Sequence, residues 1–187
     1  ESKYGEYNGR TTQIAFDSPQ GYKYINTVMS ADRSNVYSFF RAGQSLAWFV
    51  YNVAAQKWSN KVHTINLVGK DCEKRYVLCS GKSISFVYSH NDGISQVTVN
   101  DHPVERVLLK GNLKLQDANQ NKSGKYEFLY NADGKTYLSA GNKKVEISAM
   151  SASDYGKMVS DGRSEYILAM EKGNEATVRV ISAETDK

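Results

Sequence analysis

Three histidines, a scatter of carboxylates, two cysteines and thirteen tyrosines are the residues from which chemistry would have to come. His63, His90 and His102 show no zinc-type spacing to one another, and none stands in a ligand pattern with a cysteine. His90-Asn91-Asp92 and Asn100-Asp101-His102 would converge if they flank a strand over residues 94–99, which would make a surface metal or acid–base site. Asn, Asp and His are equally the residues of which turns are made, and the turn reading comes first. A serine nucleophile would be expected on a glycine-flanked elbow, and a phosphate site on a glycine-rich loop; neither motif is present. Glu127 and Glu146 fall in strand-like runs, Asp133 and Asp161 in turn-like ones, so no spacing brings two carboxylates together as a glycosidase pair. No catalytic residue, no metal and no cofactor is assigned, and the chain is read as non-enzymatic.

Cys72 and Cys79 on one strand would point to opposite faces, so a disulfide between them requires a turn, which Glu73-Lys74-Arg75 can supply. A bridged pair is the expectation and a free pair the alternative. Asn121-Lys122-Ser123 is an N-glycosylation sequon within the polar stretch 117–124. The same oxygens suggest a calcium loop, but the ordered acidic ladder of such loops is missing, which leaves a solvated turn.

Thirteen Tyr beside two Pro is the compositional anomaly. A tyrosine ring is apolar with a polar tip, so it suits half-buried strands and binding faces alike. Tyr22, Tyr24, Trp48, Tyr51 and Trp58 are the candidates for a shallow aromatic shelf that would bind glycan; the competing reading of each is strand packing. The net charge of +4 is modest, and its densest basic pieces, Lys74-Arg75 and Lys143-Lys144, are too short for a phosphate-binding stripe. Nucleic acid is not an expected partner. The longest apolar cluster, 46–51, is one strand long and far from the ~18 residues of a membrane-spanning helix.

The elements that must position these residues are short β-prone runs broken by turn chemistry. Asp17-Ser18-Pro19-Gln20-Gly21, Gly43 and Asp92-Gly93 mark bends between such runs, and the chain holds room for 14 to 16 short strands. The pieces 53–60 and 151–160 are the only places for a helical turn, the second capped by Ser151 or Ser153 and interrupted by Gly156. Gly21, Gly43 and Gly81 recur about 90 residues later as Gly111, Gly134 and Gly173, with Tyr37 answering to Tyr126 and Tyr76 to Tyr166.

The expected fold is therefore all-β: two related antiparallel units of sandwich or roll type, from an internal duplication of about 90 residues, packed together. Their expected bounds are a flexible lead-in over 1–10, a first unit over 11–93, a second over 94–183 and a frayed tail over 184–187. No stretch identifies a family. The function expected is a secreted or surface-displayed, non-catalytic adhesion or binding module for a carbohydrate or a protein. A structural subunit of a surface layer, filament or virion is the rival, and a hydrolase stands third.

Overall fold

In the computed structural model the residues described are 3–7, 10–14, 20–69, 75–80, 83–121, 123–161 and 164–182. Cys72 and the tail 184–187 lie outside them, and with Cys72 the question of a disulfide to Cys79. The described residues hold eighteen strands, all pairings are antiparallel, and none of these residues is helical.

The chain divides into two compact units. The first, Glu1–Met29 with Arg33–Asn66, contains the hairpin β1 (Lys3–Tyr7) and β2 (Arg10–Ile14), so paired strand stands where a polar lead-in was expected. Its main sheet is β3 (Lys23–Met29), β4 (Asn35–Ala42), β5 (Ser45–Asn52) and β6 (Lys57–Trp58), and β7 (His63–Asn66) pairs with β5. The expected helical turn over 53–60 is a turn at 53–56 followed by β6.

The second unit, Leu67–Lys187 with Ser30–Asp32, is a succession of sheets. One is β8 (Arg75–Ser80), β9 (Ser83–His90), β10 (Gly93–Thr98) and β11 (Glu105–Lys110). The next is β12 (Lys114–Gln120), β13 (Tyr126–Ala132), β14 (Lys135–Ala140) and β15 (Lys143–Ser151). The last is β16 (Tyr155–Ser160), β17 (Glu165–Lys172) and β18 (Glu175–Ser182). The stretch expected to form a brief helix before Gly156 is thus β16. Extended backbone wins because Met158 and Gly156 alternate with Tyr155, Lys157 and Val159, the first set buried and the second exposed.

Each sheet is a meander of consecutive strands, starting at Lys23, Arg75, Lys114 and Tyr155. The repeating element is one sheet, and the spacing of about 90 residues between matched glycines is the distance from the sheet at Lys23 to the sheet at Lys114. The 93/94 boundary read from the sequence falls inside the β9–β10 hairpin, in the middle of one sheet. Gly93 there cannot carry a side chain: at φ 148 its Cβ would lie 1.9 Å from the Leu109 carbonyl oxygen.

Consecutive sheets of the second unit pack face to face. Val87 and Ile94 of the β8–β11 sheet cluster with Leu115, Ala118, Phe128 and Tyr130 of the next. On its other face that next sheet places Leu129, Leu138 and Ile147 against Met158, Tyr166, Leu168 and Met170. Each fully buried side chain of this kind stabilises by about 1.5–3 kcal/mol relative to exposure. Gly156 permits the close approach, since a Cβ there would meet Leu129 Cδ2 at 2.7 Å and Gln116 Cβ at 3.3 Å. The passage from β15 to β16 is held by buried polar groups: Asn131 Nδ2 donates to the Ser153 carbonyl at 2.6 Å, and Thr136 Oγ1 donates to Asn131 Oδ1 at 2.9 Å.

Candidate functional site

The five aromatic candidates all lie in the first unit, and the pleat of its sheet separates them. Register places Tyr24, Tyr51 and Trp58 on the face that also carries Phe40 and Phe49. Tyr24 is 52% exposed and meets Phe40 edge-on at 5.7 Å, while Tyr51 meets Trp58 edge-on at 5.3 Å. The Tyr22 hydroxyl is 2.7 Å from Ser45 Oγ. Trp48 points to the opposite face, is 1% exposed, and stacks on His63 at 5.4 Å with planes 8° apart. It is a core residue, so the expected shelf of five rings is at most four.

The histidines are structural. His90 is buried and its Nδ1 accepts the Asp92 N–H at 3.2 Å, which leaves the ring proton on Nε2 to be donated to Ser95 Oγ at 2.8 Å. That tautomer donates to the serine and cannot act as its base. Asn100 Oδ1 accepts the His102 N–H at 2.9 Å, a bond internal to its own turn. Among the described residues no group of three or more His, Cys, Asp or Glu converges as metal ligands do. Asn121 Oδ1 accepts from the Ser123 amide, the Ser123 hydroxyl and the Lys125 amide at 3.0, 2.7 and 3.0 Å, so it organises the β12–β13 turn.

Charged and aromatic groups instead meet where β8, β12 and β16, the first strands of three successive sheets, come together. The bulge between Leu115 and Asp117 turns the Asp117 carboxylate toward β16. Its Oδ2 accepts the Met158 N–H at 2.9 Å, and its Oδ1 accepts the Ala118 N–H at 2.9 Å and stands 3.7 Å from Lys157 Nζ. Tyr76 donates its hydroxyl to the Gln116 carbonyl. The Lys157 ammonium lies 5.5 Å from the centre of the Tyr76 ring and 5.9 Å from that of Tyr155. Burial first, then the nearby Asp117 and Tyr155, pushes the Tyr76 hydroxyl up to about 12, so it stays a protonated donor at neutral pH.

Behind this cluster Glu127 is 1% exposed. Its Oε1 accepts the Tyr166 hydroxyl at 2.8 Å and its Oε2 the Asn119 amide at 3.2 Å. Burial and then that hydrogen bond hold the Tyr166 hydroxyl well above the usual tyrosine range. The arrangement offers one half-exposed ammonium, one carboxylate and two rings. It can bind a dipolar or charged group, and it contains no activated nucleophile.

Sequence reasoning missed this cluster because its members are 41 and 40 positions apart, from Tyr76 to Asp117 to Lys157, and only sheet stacking joins them. The usable signal was the strand alternation of Tyr155-Gly156-Lys157-Met158, which the glycine disguised as a broken helix.

No family model and no curated protein sequence matches the chain. Among solved structures, prolyl oligopeptidase B from Galerina marginata, bound to a 35mer hydrolysis and macrocyclization substrate, is similar over 96% of this chain and 27% of its own, at TM-score 0.59 and 10% identity. A prolyl endopeptidase aligns at TM-score 0.61 and 11% identity over 94% of this chain and 29% of its own. A chain of the mitotic checkpoint complex does so at TM-score 0.53 and 10% identity, over 94% and 52%. The chain therefore spans 27% to 29% of the length of these two peptidases. In the peptidases the similar part is the β-propeller-like domain. Identity this low shows the fold alone: an all-β chain of successive antiparallel sheets, of β-propeller-like kind.

Proposed function

We propose that the chain is a non-catalytic, β-propeller-like recognition module whose partner is a polypeptide, held at Tyr76, Asp117, Tyr155 and Lys157. The observation that carries the reading is the convergence of an ammonium, a carboxylate and two rings on the first strands of three sheets. Charged side chains and peptide dipoles match such a set, whereas a glycan shelf needs several rings exposed together, and Trp48 has left the one the sequence suggested. The prolyl oligopeptidase bound to a 35mer is similar only in fold, and lends the idea of a polypeptide ligand no more than that. Placement outside the cell or on its surface belongs to the same proposal and is tested by locating the native protein.

A peptide array probed with the purified chain, followed by titration of the best peptides, tests the assignment. Lys157→Ala and Tyr155→Ala should each weaken binding about tenfold, the loss of one good contact of ~1.4 kcal/mol. Binding that survives both substitutions together, or signal on a glycan array alone, would overturn it.

A further inference from the structure

The last sheet carries a surface that the other two sheets of its unit lead one to expect covered. Register aligns Val159, Ile167 and Val180 in one row across β16, β17 and β18, and Lys157, Ala169 and Val178 in the next. These point away from the buried Met158, Tyr166, Leu168 and Met170. Val159, Val178 and Val180 are 66%, 70% and 70% exposed. Four large aliphatic side chains adjoining on one open sheet face form the kind of patch that marks an interaction surface.

We propose that this face is covered by a further antiparallel sheet carried on a longer form of the same polypeptide, whose chain first adds a fourth strand beside β18. Three observations specify a sheet as the occupant. The β12–β15 sheet is covered on both faces by sheets, with Phe128 and Tyr130 of β13 turned to one neighbour and Leu129 to the other. The two preceding sheets of the unit have four strands and this one has three; among the described residues no strand pairs with β18 on the side away from β17. Beside β18 lies an open groove of ≈ 440 Å³ lined by Val145, Glu146 and Ile147 of β15 and Arg179, Val180 and Ile181 of β18, apolar enough for a strand of alternating pattern. The similar solved chains, of which this one spans 27% to 52%, are longer in the same sense.

Hydrogen exchange of the 187-residue chain against the longest chain its coding sequence specifies tests the proposal. Protection over Glu175–Ser182 should rise at least tenfold in the longer chain while that of Tyr126–Ala132 stays unchanged. Val178→Lys should leave the thermal midpoint of the 187-residue chain unchanged and lower that of the longer one; Val178→Ile should be tolerated in both. A coding sequence that stops at Lys187, equal protection in the two chains, or equal tolerance of Val178→Lys would overturn it. So would protection of β18 that rises with the concentration of the 187-residue chain, which would make a second copy the occupant.

Discussion

The β12–β15 and β16–β18 sheets are neighbours in one unit, yet their strands are written differently. In β13, Glu127 to Asn131 are all buried, and the strand reads as a nearly continuous run. In β17 burial alternates strictly, with Tyr166, Leu168 and Met170 inside and Ile167 and Ala169 outside. A strand covered on two faces needs apolar or satisfied polar groups at every position, and a strand covered on one face needs them at every second one. The lesson of the pair is that β17 and β18 break their own rule: the outer positions are open, yet Ile167, Val178 and Val180 occupy them.

Substitutions on the two sides of that boundary should separate widely. Leu129→Ala, at a site without solvent exposure, should cost about 2–5 kcal/mol in urea unfolding, with the slope unchanged. Tyr166→Phe removes the buried donor to Glu127 and should cost about 1–3 kcal/mol by the same measurement. Gly156→Ala forces a methyl toward Leu129 and Gln116 and should cost about 1–3 kcal/mol; a crystal structure of the variant should show the Leu129 side chain displaced. Ile167→Ala and Val178→Ala, in the 187-residue chain, should each stay within about 0.5 kcal/mol.

Titration sharpens the same contrast. Tyr76 and Tyr166 have folded-state values raised above the ordinary tyrosine range, so their contribution to stability is complete below about pH 10 and is lost as pH rises through the folded values. Unfolding midpoints should therefore fall steeply above pH 10. The fall should be shallower in Tyr76→Phe and Tyr166→Phe, while phenolate absorbance should show these two rings ionising after the others.

Much of the architecture was legible because turn chemistry and strand composition are local. Asp133 and Gly134, both at positive φ, make the hairpin between β13 and β14 that their types imply. Gly43 and Gly134 each sit between the second and third strands of their sheets, which is why they kept step in the sequence. What could not be read was which sheet faces which. The size of the repeating element was mistaken for the same reason, since one sheet and two sheets give the same punctuation until packing is known. Trp48 illustrates the limit: its pleat direction follows from register, but whether that face is wet depends on what packs there. Tyr76, Asp117 and Lys157 show the converse, three ordinary residues made a cluster by stacking alone.

Within each sheet a strand bonds mainly to its neighbour in sequence, with β7 returning to β5 as the departure. Most pairing thus closes loops of a few residues, which keeps the entropy of loop closure small. A polypeptide of this plan can fold as it leaves the ribosome, each meander forming once its last strand has emerged and then serving as the template on which the following one condenses. Synthesis order and assembly order coincide, so stalled translation would yield shorter stacks of finished sheets in place of a single collapsed intermediate.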